Sequence, residues 1–132
     1  MALLGKRIFV VEDNLENRVI VQIALSAHGV RVEFDRWGLN TLRKLAEFAP
    51  VDVILLDLMF PNDITGYEIF DHIREVPAYN QVPIIAVSAS DPYVAVPVCK
   101  SKGFSGFISK PIDTDLFPHQ IERILSGEAL WD

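Results

Sequence analysis

Cysteine is nearly absent: Cys99 is the only one in 132 residues, so no disulfide can close within the chain. With no histidine near it in sequence, Cys99 reads as a small packing residue rather than a nucleophile. No apolar stretch reaches membrane-spanning length and no signal-peptide pattern is present, which together read as a soluble cytoplasmic protein with no membrane partner. Positive charge is in deficit, twelve Lys and Arg against eighteen Asp and Glu, for a net charge of −6. That balance opposes the phosphate neutralisation on which nucleic-acid affinity depends, and excludes direct DNA or RNA binding by this chain. The three histidines, His28, His72 and His119, are scattered and make no metal-ligand pattern. Repeats, low-complexity tracts and linkers are also missing, so residues 1–132 read as one domain with short tails at 1–5 and about 128–132.

What the chain does have is apolar residues, half of the total, gathered into strand-length β-branched runs with helical patterns between them. Strands are expected at Arg7 to Val11, Val30 to Phe34, Val51 to Leu56, Pro83 to Val87 and Gly106 to Ser109. The first helix is expected from Leu15 to Ala27, with Leu15, Val19 and Ile23 inward, Leu25 and Ala27 beside them, and Gly29 as its stop. Further helices are expected from Leu39 to Phe48, closed by Pro50, and from Gly66 to Val76. The last runs through Leu116, Ile121 and Leu125 to Gly127, capped by Asp113 or Thr114. Pro92 and Pro97 predict a fourth helix that starts late, is short or is kinked. Repeated βα units give an α/β fold, a three-layer αβα sandwich. Its strand order is not fixed by pattern, but the flavodoxin-like order 2-1-3-4-5 puts strands one and three together at the switch point.

Three of the apolar runs stop at charge. Phe9-Val10-Val11 ends at Glu12-Asp13, Val53 to Leu56 at Asp57, and Phe107-Ile108-Ser109 at Lys110-Pro111. In a parallel sheet these ends share one edge, where like-charged carboxylates must take up protons or recruit a cation. Magnesium suits such a set, since it takes oxygen ligands, uses one or two carboxylates and leaves positions for phosphate oxygens. An aspartate can also accept a phosphoryl group covalently, with Lys110 and the Ser88 hydroxyl placed to meet its oxygens.

The segments Val11-Glu12-Asp13-Asn14, Leu56-Asp57-Leu58-Met59, Val87-Ser88-Ala89 and Ser109-Lys110-Pro111 resemble the receiver domains of two-component response regulators, the CheY-like family, over about residues 6–126. The resemblance implies a (βα)5 fold with Asp57 as phosphoacceptor in a magnesium-dependent reaction. It implies direct metal ligation by Asp13 and Asp57, with Glu12 acting through bound water and Met59 through its backbone oxygen. Ser88 and Lys110 match the switch hydroxyl and the lysine, the backbone N–H groups of Met59 and Ala89 cradle phosphoryl oxygens, and the bond before Pro111 is cis. Phe107 matches the switch aromatic of the helix 4/strand 5/helix 5 face, without the tyrosine hydroxyl of many relatives. The implied partners are a sensor histidine kinase or histidine phosphotransfer protein and a downstream effector protein. A dimer that forms on phosphorylation is also allowed. Such a domain phosphorylates and dephosphorylates itself but is not otherwise an enzyme.

Two features depart from the pattern: Pro61 to Gly66 is one residue longer than usual, and Thr65 stands before the glycine. A receiver-like scaffold without phosphate chemistry is one rival. A flavin-binding protein would need a Ser/Thr/Gly-rich loop where Glu12-Asp13 stands, and an aspartyl-phosphate hydrolase would need a second Asp where Met59 stands.

Overall fold

The computed structural model describes residues 3–60 and 63–131. Its strands grow from the β-branched runs: β1 (Arg7–Val11), β2 (Arg31–Asp35), β3 (Val53–Leu56), β4 (Ile84–Ser88), β5 (Gly106–Ser109) and a short β6 (Leu130–Trp131). Between them lie α1 (Leu15–Ser26), α2 (Thr41–Phe48), α3 (Gly66–Arg74), α4 (Pro92–Lys102) and α5 (Phe117–Leu125), with a 3-10 turn at Pro77–Tyr79. All strand pairs are parallel, in the order β2-β1-β3-β4-β5-β6. The central strands bury both faces, as a parallel sheet covered by helices requires.

Side-chain alternation sorts the core into two layers. Phe9, Val11, Ile54, Leu56, Ala86 and Phe107 face α2, α3 and α4, while Ile8, Val10, Leu55, Ile85 and Ile108 face α1 and α5. The architecture is the αβα sandwich read from the sequence, extended by one strand.

Three local expectations are corrected. Along α1 and its cap, Leu15, Val19, Ile23 and Ala27 are exposed, and Arg18, Val21 and Ala24 face the sheet with Leu25, the one expected residue that does. Both sets recur at helical spacing, and the Asn14 cap, whose side chain accepts the Asn17 N–H at 3.0 Å, fixes where the helix begins and so which set turns inward. Of the alternatives expected for α4, the late start and the short helix do not hold: Pro92 occupies its first turn, where no intrahelical N–H is needed, and Asp91 accepts the Tyr93 N–H at 3.0 Å. Pro97 sits in its interior, on the exposed side.

The third correction concerns the tail. Residues 130–131, within the stretch expected as a tail, form β6: Leu130 is 1% exposed among Ile108, Ile121 and Ile124, while Trp131 packs on the opposite core layer beneath the Lys100 ammonium. The Leu130 carbonyl approaches Gly106 so closely that a Cβ there would lie 2.4 Å from it. Two residues carry too little periodicity to announce a strand, and the glycine that admits them lies elsewhere in the chain. Asp113 caps the turn before α5, accepting the N–H groups of Asp115 and Leu116 at 2.9 and 3.1 Å, and Thr114 does not share that role.

If β6 belongs to the core, Leu130→Ala is expected to lower stability by about 2–4 kcal/mol in urea unfolding. A loss below about 0.5 kcal/mol, the range of a surface substitution, would show that residues 130–131 are peripheral.

Candidate functional site

The parallel register brings the ends of β1, β3, β4 and β5 to one edge of the sheet. Backbone bonds continue past the strands and fix these ends: Glu12 N–H donates to Asp35 O at 3.0 Å, Asp57 N–H to Val11 O at 3.1 Å, and Lys110 N–H to Ser88 O at 2.9 Å. Glu12, Asp13 and Asp57 each place one carboxylate oxygen within 4.8 Å of the others. The Lys110 ammonium reaches across to Glu12 Oε1 at 2.5 Å and Asp57 Oδ2 at 3.0 Å. The Lys110–Pro111 bond is cis, as is Ala49–Pro50, which the sequence reading did not anticipate.

Asp57 is held from two sides. Its Oδ1 accepts the N–H of Leu58 at 2.7 Å and, less closely, that of Met59 at 3.4 Å, which leaves Oδ2 on the Lys110 side. A cavity of about 300 Å³ opens here, lined by Asp57, Met59, Ser88, Ala89, Ser90 and Lys110. Ser88 is buried, its Oγ donating to Ser90 Oγ at 2.9 Å and accepting the Ser90 N–H at 3.1 Å. Phe107 is not in the wall; it lies beneath, fully buried in the core layer of α2, α3 and α4.

The segment after Asp57 turns back sharply. Gly66 N–H donates to Leu58 O at 2.9 Å, and Met59 pairs with Thr65. A Cβ on Gly66 would lie 2.1 Å from Asp57 O, so only glycine permits this approach of α3 to the end of β3. Thr65, a departure from the family pattern, caps α3 by accepting the Glu68 N–H at 3.3 Å. Pro61 and Asn62 of the lengthened loop lie outside the described residues. The Met59 side chain is exposed at the rim.

Two contributors escaped the sequence reading. Ser90 supplies the Ser88 hydroxyl with both its partners, and its only signal was its place two residues beyond Ser88. Arg18 is buried under the acid pair, its Nη1 donating to the carbonyls of Glu12 and Asp13 at 3.0 and 2.8 Å. An arginine among apolar residues of α1 was the available sign.

The charge balance of the cluster is three carboxylates against one ammonium. Burial pushes the Glu12 carboxyl up to about 7, and the neighbouring Asp57 charge adds to this against the Lys110 hydrogen bond. Burial alone would lower Lys110, but its hydrogen bond to Glu12 and the charges of Asp57 and Glu12 outweigh it and raise it above its ordinary value. The set fits a divalent cation by its chemistry: oxygen donors only, in surplus negative charge, beside an open cavity.

Known proteins resemble this chain over most of its length. Residues 8–122 match the model of the family described as response regulator receiver domain. The chain is 30% identical over 124 residues to the polar-differentiation response regulator DivK of Brucella ovis, covering 94% of this chain and 98% of that protein. The structure of chemotaxis response regulator CheY4 of Vibrio cholerae superposes with a TM-score of 0.81 at 26% identity, covering 91% of this chain and 98% of that one. The receiver domain of sensor histidine kinase PA1611 from Pseudomonas aeruginosa PAO1, whose structure has a magnesium ion coordinated in the active site cleft, gives 0.78 at 29% identity, covering 94% and 99%. Some other curated relatives are longer, and the chain spans half the length of two of them and as little as 8% of one.

Between an ordinary 4.5 in the unfolded chain and about 7 in the folded one, Glu12 keeps in the native state a proton that the unfolded chain has lost. Stability without metal is therefore expected to fall as pH rises through that window, on the order of 2 kcal/mol. Urea unfolding from pH 4.5 to 8 in chelator checks this against Glu12→Gln, which should remove that part of the slope. An identical slope in both proteins would refute it.

Proposed function

This chain belongs to the response regulator receiver domains, phosphoacceptor domains of two-component signalling, and we propose that it takes a phosphoryl group from a phosphohistidine donor onto Asp57 in a magnesium-dependent reaction. The observation that carries this reading is Asp57 itself, with one oxygen held by backbone N–H groups and the other facing Lys110 and an open cavity.

Asp57 Oδ2 acts as the nucleophile. A bond forms from that oxygen to phosphorus as the donor's P–N bond breaks, and the imidazole leaves with the electron pair. Lys110 stays beside the transferred group and answers charge on a phosphoryl oxygen, and the N–H groups of Met59 and Ala89 receive others. Asp13 and Asp57, with Glu12 through water and the Met59 carbonyl, would hold magnesium, which when bound would supply positive charge against the repulsion between carboxylate and phosphoryl oxygens. The solved PA1611 receiver, which holds magnesium in its cleft, supports this assignment.

The Ser88 hydroxyl then exchanges its bond to Ser90 for one to a phosphoryl oxygen, which draws the end of β4 inward. Phe107, level with Ala86 of β4, transmits that movement to the face of α4, β5 and α5. The partners in this reading are a sensor histidine kinase or histidine phosphotransfer protein upstream and an effector protein downstream, and the site of action is the cytoplasm. Among the described residues, no helix is long and apolar enough to cross a membrane.

Incubation with magnesium and acetyl phosphate is expected to add one phosphoryl group by intact mass, and none to Asp57→Asn. Lys110→Met should slow the gain about 100-fold. A wild-type protein that stays unmodified, or a labelled Asp57→Asn, would sink the proposal and favour the scaffold reading.

A further inference from the structure

We propose that Arg18 is a positioning residue for the cation site, clamping the backbone of Glu12 and Asp13 so that both carboxylates stay turned toward Asp57. The inference rests on the reading of these acids as a magnesium site and extends it to a residue that touches neither metal nor phosphoryl group.

Three observations carry it. Arg18 is 9% exposed, in a layer otherwise built of Val21, Ala24 and Leu25. A buried arginine must satisfy its donors or cost several kcal/mol in desolvation, by about the amounts seen when buried charges lose their partners. Here Nη1 spends its donors on two consecutive carbonyls, Glu12 O at 3.0 Å and Asp13 O at 2.8 Å. Two bonds from one nitrogen to successive peptides restrict their rotation about Asp13 as well as their place.

The need for a clamp follows from charge. Glu12, Asp13 and Asp57 repel one another, and the segment that carries two of them is the turn between β1 and α1. On its strand side that turn is tied by Glu12 N–H to Asp35 O, and on its helix side by Asn14 N–H to Glu12 Oε2 at 3.2 Å and Arg18 N–H to Asn14 O at 3.0 Å. None of these bonds engages the carbonyls of residues 12 and 13, the groups that set the planes of the two peptides on either side of Asp13. Arg18 does, from beneath. It also lies near the acids without occupying the cavity, where Lys110 stands.

Calorimetric titration with magnesium chloride alone tests this in wild type, Arg18→Met, Arg18→Gln and Arg18→Lys, each shown folded beforehand by thermal unfolding in chelator. Loss of an orienting partner of metal ligands weakens affinity about 10–100-fold, and Arg18→Met should fall in that range. Arg18→Gln, which keeps an N–H donor without charge, should lose less, and Arg18→Lys should recover most of the affinity. Should Arg18→Met not fold, the Gln and Lys variants carry the test. Wild-type affinity in every folded variant would overturn the role of Arg18 while leaving the site intact. Absence of magnesium binding in wild type would instead overturn the site reading beneath it.

Discussion

A single ammonium holds the site together. Lys110, at the end of β5, reaches past β4 to a carboxylate at the end of β3 and past both to one at the end of β1, in a place too dry for like charges to be tolerated cheaply. One positive charge against three negative ones leaves a deficit, and much of the local structure answers it. Glu12 leans toward its protonated form, Asp57 is braced by the N–H of Leu58, and Arg18 lies under the turn that carries the other two acids. The fold creates the problem by running parallel strands, since only parallel strands deliver several loop starts to one edge. It is also what makes the problem useful, because an electrostatic deficit at an open cavity is a standing demand for a cation.

The sheet supplies the rigidity that this arrangement needs. Strands β1, β3 and β4 are buried on both faces, so their ends cannot drift without disturbing two core layers at once. The moving parts of the proposed switch are accordingly small: a hydroxyl that changes partner at Ser88 and a ring buried in one core layer at Phe107. Thr65 and Gly66 serve the same stability from the other side, one capping α3 and the other letting it press against the end of β3.

The strands and the acid cluster were legible in the sequence because both depend on residue type at a strand end, a signal that short-range pattern preserves. What was not legible depended on choices between equivalent patterns. Leu15-Val19-Ile23 and Val21-Ala24-Leu25 are both fit to face a sheet, and the phase of α1 decides between them through its cap and Arg18. Arg18 itself reads as a solvated charge until its burial is known. Helix α4 was doubted for two prolines, yet Pro92 falls where a missing N–H is harmless. Strand β6 is two residues long, and its evidence lay at Gly106, where the absence of a side chain makes room for another strand's carbonyl.

That sixth strand changes how the sheet meets the rest of the solution. An open sheet has two edges, and each offers unpaired N–H and C=O groups to any extended chain nearby. Here the two are guarded by different means. Edge strand β2 exposes Arg31 and Glu33, whose charges discourage a neighbour from pairing. At the other side the chain pairs with itself, Leu130 beside Gly106 and Trp131 beside Phe107, so that part of the β5 ladder is already taken. Resistance to strand-to-strand aggregation is thus written into one edge by charge and into the other by occupancy, and the second protection lasts only while Leu130 stays in its seat.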